Sequence, residues 1–295
     1  MRDLDSQETY LADSTGVAFE LRDLVGSGPN PSSSYAAPYG VVGFGEGWWP
    51  ALLAREWIPA EITTRGTQFV LEGGYDFGHA QGAGFYAEAS GAEIVRLGLS
   101  EHAEVPFPPS PLSPYRYLRF LLLATGQQEE LARIDQALLA ERELSRSEVP
   151  MDHNPAKFLA YTLLERTPVW VVPAHFAGLA GAMQQTFSRV AKSLSIAPPS
   201  ATLEFLVTGL EARHEQGDPL AGVIIGNHTE SKIAHEIMES RVDTLVEIPR
   251  LEAEGRLAET MSYWYRIAWA SYYLALLYGV EPGDAEVLSR LRAAT

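Results

Sequence analysis

Short apolar runs that end in glycine and hand over to helical periodicity constrain this chain more than any other feature. The first is YGVVGFGEGWWPALLAREWI, residues 39–58. It combines a buried-strand pattern, three glycines at alternate positions, and a helix pattern with Pro50 in its first turn, where a missing N–H costs nothing. TQFVLEG (67–73) and AEIVRLGL (92–99) read as two further strands, and the glycine-rich GGYDFGHAQGAG that opens the segment between them reads as a surface loop. A Pro-rich passage, VPFPPSPLSP, then leads into the helical YRYLRFLLLATG. Strand, helix and strand in this order predict a parallel sheet with crossover helices.

After a charged helical stretch at 127–146 the alternation begins again. Strands are expected at 169–173, 202–207 (TLEFLV), 222–226 and 243–249, and helices at 178–193, 231–240 and 258–278. Asn154-Pro155 has the chemistry of a helix cap. The expected fold class is therefore α/β, with two doubly wound parallel-sheet domains. The expected boundaries are an extension at 1–34, a first domain at 35–126, a helical linker at 127–153 and a second domain at 154–295.

Composition narrows the function classes. A net charge of −16 disfavours a nucleic-acid partner, whose backbone would be repelled. The absence of cysteine removes disulfides, thiolate metal sites and cysteine catalysis. No apolar run reaches the roughly 20 residues of a membrane span, and the acidic start MRDLDSQETY lacks a secretory pattern, so a cytoplasmic protein with no membrane partner is expected. Only Lys157, Lys192 and Lys232 are lysines, so an anion held by a side chain would be held by arginine. The seven histidines form neither a His-x-His pair nor a His-Glu-x-x-His helix, so no metal and no cofactor is expected.

Three segments carry a family likeness. YGVVGFGEG followed by a helix resembles the first phosphate loop of sugar isomerase (SIS) domains. The Pro-rich entry into YRYLRFLLLATG, and the tail WASYYLALLYGVEPGDAEVLSRLR, resemble bifunctional phosphoglucose/phosphomannose isomerases. With FSRVAKS and TGLEARHE, the likeness extends over most of residues 38–293. It implies two SIS-type domains, a homodimer, and isomerisation of sugar phosphates by moving a proton between C1 and C2.

The equipment for that reaction is altered. The family's first loop is typically Gly-x-Gly-Gly-Ser-Gly; Gly43 and Gly45 match, but Glu46 and Gly47 stand where glycine and serine belong. A carboxylate repels a phosphate by kilocalories at low effective dielectric, about 4 kcal/mol for unit charges 4 Å apart. The second phosphate loop, expected to be rich in Ser and Thr, reads LEGGYDFGH. Arg189 occupies the glutamate base position, and Tyr273 aligns with the lysine of the last long helix. The family's arginine falls near Leu112, with Arg116 one turn later and Arg119 on the same helix face. His214, beside Glu211, Arg213 and Glu215, sits where the family has its ring-opening histidine.

The candidate catalytic residues are therefore His214, Glu211 and Glu46, and the candidate ligand-binding residues are Gly43, Gly45, Gly47, Arg116 and Arg213. Arg116 and Arg119 fit either an anion clasp or a solvated helix face. Asp76 and His79 are spaced for a local contact or belong to a plain loop. In GNHTES, Asn227, His228, Thr229 and Ser231 follow a strand end, where they fit either ligand donors or a helix cap. Two functions follow: a sugar-phosphate isomerase with weak or lost activity, and a non-catalytic sugar-phosphate sensor or regulatory dimer.

Overall fold

The computed structural model describes residues 3–11, 13–14, 16–73, 77–98, 103–107, 110–198, 202–211 and 219–283. In chain order the elements are α1 (Gln7–Tyr10), α2 (Val17–Arg22), β1 (Tyr39–Gly43), α3 (Trp48–Ala54), β2 (Thr67–Glu72), α4 (Phe77–Ala89), β3 (Glu93–Gly98), β4 (Val105–Pro106) and α5 (Ser113–Ala124). There follow α6 (Gln128–Ser145), α7 (Pro155–Leu163), β5 (Thr167–Val171), α8 (Leu179–Val190), α9 (Thr202–Gly209), β6 (Leu220–Ile225), α10 (Thr229–Met238), β7 (Thr244–Ile248) and α11 (Arg256–Tyr278). The described chain divides into two compact units. One spans residues 23–135, and the other combines residues 1–22 with 136–283.

In the unit at 23–135, β1, β2, β3 and β4 form a parallel sheet in that order. Ala60 pairs with β1 on the edge away from β2, where its carbonyl accepts from Val41 N at 3.0 Å. The chain thus leaves β1 toward one side and returns as β2 on the other, which makes the β1/β2 carboxyl ends the topological switch point where open α/β sheets bind ligands. Alternation along the strands feeds both faces. Val41, Phe69, Leu71, Val95 and Leu97 pack with Tyr117 and Phe120 of α5, while Val42 and Val70 pack with Ala80 of α4.

The other unit repeats the plan. Its parallel sheet runs β5-β6-β7, and Ile196 bonds to the far edge of β5 through Trp170 N at 2.9 Å and the Pro168 carbonyl at 2.8 Å. Its switch point therefore lies between β5 and β6. On one face Val169, Val171 and Ile224 pack with Leu206, Ala234 and Met238; on the other, Trp170 meets Phe187 of α8 edge-on at 5.4 Å. Helix α11 packs on α7 and α8 and is buried from Leu257 to Leu277. The expected Asn154 cap is present, its Oδ1 accepting from Ala156 N at 3.1 Å and Lys157 N at 2.9 Å. Such a cap contributes about 1 kcal/mol. Among the described residues no helix is long and apolar enough to cross a membrane.

Two expectations are corrected. The segment read as strand TLEFLV is helix α9, because Leu203, Leu206 and Leu210 recur at helical spacing and close onto the same core. The glycine-rich segment after β2, read as a loop, contributes the 13-residue helix α4. Packing outweighs the helix cost of glycine there: Ala80 and Ala87 are fully buried, and a side chain on Gly84 would come within 2.9 Å of the Arg96 guanidinium. The final segment AEVLSRLRA, whose leucines recur at helical spacing in the sequence, lies outside the described residues.

Candidate functional site

The switch point of the unit at 23–135 is formed by the Gly45–Gly47 turn after β1 and by Gly73 after β2. Its glycines are held by protein backbone. A side chain on Gly43 would overlap the Gly47 carbonyl, and one on Gly47 would sit 2.5 Å from Leu71 Cβ and 2.6 Å from the Leu71 carbonyl oxygen. One on Gly73 would come within 2.6 Å of Gly45 Cα. Phe44 N donates to the Leu71 carbonyl at 2.9 Å, and Gly47 N to the Phe44 carbonyl at 2.9 Å, which fastens the turn down onto β2. Gly45 takes a φ of +52°, which only glycine adopts without strain. In the middle of this closed turn Glu46 is 4% exposed. Of the two tryptophans that follow, Trp49 is buried in α3 and Trp48 faces outward.

A second buried acid stands beside it. Glu72, the last residue of β2, is 1% exposed, and its carbonyl accepts from the Tyr117 hydroxyl at 2.6 Å. Arg96 approaches the Glu72 carboxylate at 3.9 Å and is itself held by Glu104, which bonds its backbone N at 2.7 Å and its guanidinium at 3.3 Å. The ends of β1 and β2 thus carry carboxylates where a phosphate cradle presents backbone N–H groups and hydroxyls. Neither Glu72 nor Arg96 was singled out from the sequence. The only signal of Glu72 is its position at the carboxyl end of a predicted strand, and Arg96 lies inside one.

The two arginines of α5 grip a loop. Arg116 is buried, with Nε 3.4 Å from Ser27 Oγ, and its side-chain stem lies under Gly28. Arg119 donates to the Pro29 carbonyl at 3.1 Å and to Asn30 Oδ1 at 2.8 Å. Of the other sequence candidates, Glu211 is exposed just beyond α9, and Arg213, His214 and Asp76 lie outside the described residues. His79 is exposed on α4, with its ring stacked on Phe44 at 6.2 Å. Arg189 lies half-buried on α8, and Tyr273 is buried, its hydroxyl donating to the Ser145 carbonyl.

In the second unit the switch point holds imidazoles. His175 follows β5, His228 follows β6, and their ring centroids are 4.4 Å apart. Ser231 Oγ donates to the Ile225 carbonyl at 2.7 Å, and His228 is the N-cap of α10 without a side-chain capping bond. His228 was readable from GNHTES; His175 has a matching signal, since it too stands just past a strand end. Two open depressions of this unit lie elsewhere. One, about 650 Å³, is lined by Tyr161, Arg166 and Thr244 at the strands' amino ends; the other, about 550 Å³, is lined by Phe158, Val246 and Arg266 beside β7. Among the described residues no group of three or more His, Asp or Glu side chains is placed to hold a metal ion.

The chain matches two family models. Residues 17–126 match the phosphoglucose isomerase N-terminal domain, and residues 152–294 match the bacterial phospho-glucose isomerase C-terminal SIS domain. A search of curated proteins gave no match. Among solved structures, a glucose-6-phosphate isomerase like protein from Thermus thermophilus is 55% identical over 100% of both chains, with a TM-score of 0.92. The C-terminal domain of glucosamine-fructose-6-phosphate aminotransferase from Francisella tularensis shares the fold at 10% identity and TM-score 0.58, over 94% of each chain. Glucosamine-6-phosphate deaminase from Thermotoga maritima does so at 10% identity and TM-score 0.58, over 95% of this chain and 96% of its own. The two doubly wound units are SIS-type domains, and the chain belongs to the bacterial phosphoglucose isomerase family.

Proposed function

We propose that this chain binds a sugar phosphate at the β1/β2 switch point and isomerises it weakly or not at all. The observation that carries the reading is Glu46, a buried carboxylate in the turn that a phosphate would approach. A phosphate about 4 Å from an ionised carboxylate is disfavoured by about 4 kcal/mol per charge pair at an effective dielectric of 20. Ground-state affinity falls, and so does the binding energy available to position C1 and C2 against a base. Arg189 cannot serve as that base, because a guanidinium stays protonated. Glu46, Glu211 and His214 are the remaining acid–base candidates, and Arg116 and Arg213 the remaining anion holders. The second reading is a sensor or regulatory dimer without turnover.

Calorimetric titration with glucose-6-phosphate tests the role of Glu46. The native chain should bind weakly, and Glu46→Gln, which removes the charge and keeps the shape, should tighten binding at least tenfold, about 1.4 kcal/mol. Unchanged affinity in the variant overturns the reading. The same proposal includes a homodimer in the cytoplasm. Phe85 and Tyr86 on α4, 73% and 61% exposed, support a covered face. Light scattering that reports a monomer at micromolar concentration contradicts that part.

A further inference from the structure

The two units share one topology, yet their switch points differ in chemistry. In the first, the loops after β1 and β2 are locked together by glycine contacts around Glu46. In the second, β5 and β6 lead to helices α8 and α10 on opposite faces of the sheet, and the loop after each strand delivers one histidine to the same spot. His175 is exposed, and its ring rests on that of Phe176, centroid to centroid 4.1 Å. Phe176, 2% exposed, also meets the rings of His228 at 5.6 Å and Tyr263 at 5.4 Å, so the histidines stand on an aromatic floor. Gly226, with φ +70°, leaves the space His228 needs: a side chain there would come within 3.0 Å of Nε2 and 3.2 Å of the Tyr263 hydroxyl. Nε2 of His228 is buried, and no described residue hydrogen-bonds it. A buried polar nitrogen without a partner is costly unless something supplies the bond.

We propose that the His175–His228 pair at the β5/β6 switch point is a second ligand site, one that takes a hydroxyl-rich, uncharged ligand such as the polyol part of a sugar. The charge around the pair selects against an anion. Glu230 lies at the start of α10, its carboxylate accepting from Ala174 N at 2.8 Å. Glu259, 6% exposed on α11, accepts from the Tyr263 hydroxyl at 3.3 Å and lies 3.6 Å from Arg250 Nε. Among the described residues, Arg256 is a cation that acts on His175. Partial burial, and then the neighbouring His228, hold the His175 imidazole below its ordinary value against the opposite pull of Glu259 and Glu230. A neutral imidazole such as that of His175, beside carboxylates, makes a poor phosphate holder, but it offers one donor and one acceptor, which matches a hydroxyl. Asn227 and Thr229, both exposed beside His228, add side-chain donors and acceptors at the rim. The site is independent of Glu46 and of any turnover at the first switch point.

The test is a titration of the full-length, ¹⁵N-labelled protein at pH 7.5, reading the imidazole nitrogens by NMR, with His175→Gln and His228→Phe assigning the signals. Sorbitol and glucose should each move the His228 Nε2 signal saturably, with a midpoint on the order of millimolar. Inorganic phosphate should not. His228→Phe keeps a ring against Phe176 and should abolish the response of His175. No saturable shift with either polyol up to about 100 mM, a concentration that would fill a site of Kd 1 mM, overturns the proposal. So does a phosphate-induced shift at lower concentration than the polyols require. Should His228→Phe fail to fold, the three titrations of the native chain decide alone.

Discussion

Replacing Gly47 by alanine separates two reasons for a glycine at the β1/β2 switch point. Gly47 has ordinary helical geometry, φ −77° and ψ −13°, so alanine meets no backbone strain there. In open space the change would stabilise the chain by about 0.4–1 kcal/mol, through the lower entropy of the unfolded state. The space is not open: the new Cβ would lie 2.5 Å from Leu71 Cβ and 2.6 Å from its carbonyl oxygen, about 1 Å inside normal contact. Leu71 is fully buried in the central strand, so it has nowhere to retreat. Overpacking of this kind costs about 1–3 kcal/mol, which outweighs the entropic gain. Gly82 on α4 is the control, since a Cβ there meets nothing within 4 Å, and alanine should stabilise by about 1 kcal/mol. Residue-resolved amide exchange in β1 and β2 of the ligand-free protein reads the effect on this unit. Gly47→Ala should lower protection and Gly82→Ala raise it. If Gly47→Ala leaves protection unchanged or raised, and only weakens ligand binding, the glycine serves ligand approach and the packing argument fails.

The buried pair Arg266–Glu141, with bonds of 2.7 and 2.6 Å and both side chains under a tenth exposed, joins α11 to α6. Glu141→Gln should destabilise its unit by about 3–5 kcal/mol, because a buried guanidinium loses its counter-charge, while Arg266→Met with Glu141→Leu should be close to neutral. Urea unfolding followed by tryptophan fluorescence checks both, and a small loss in the single variant would contradict the reasoning. At alkaline pH the buried phenols dominate. Burial, then the charge of Asp5 at Tyr10, of Glu259 at Tyr263 and of Asp13 at Tyr272, raises these hydroxyls well above 10. The unfolded chain releases those protons near pH 10 and the folded chain keeps them, so stability is intact below about pH 9. It falls above pH 10 by about 1.4 kcal/mol per pH unit for each phenol still protonated. Phenolate absorbance and circular dichroism should therefore change together; phenols titrating near 10 in a folded protein would refute this.

Strands such as 220–225 (LAGVII) were legible because burial on both faces leaves a continuous apolar run, which a sheet covered on each side accommodates. Ala60 and Ile196, which define both switch points, were not, because a single residue pairing in WIPAEI or SIAPP leaves no periodicity. Helix α4 was hidden by its glycines, whose propensity is overridden by contact with Arg96 and the sheet. The charge of Glu46 could be read in the sequence, but its burial could not. The grip of Arg116 and Arg119 on residues 27–30 joins positions about ninety residues apart, which local patterns do not encode. His175 was missed although its position after a strand end matches that of His228, because a lone histidine gains meaning only once the sheet order brings it beside its partner.

The central claim is that this family member keeps the fold while Glu46 closes the first switch point to efficient phosphate chemistry. A coupled assay of glucose-6-phosphate and mannose-6-phosphate isomerisation with the purified native chain tests it most directly. Turnover should lie at least a hundredfold below roughly one per second, the low end of ordinary enzymes. Turnover of about one per second or faster, abolished by Glu46→Gln, would contradict it and make Glu46 the base of a rebuilt active site.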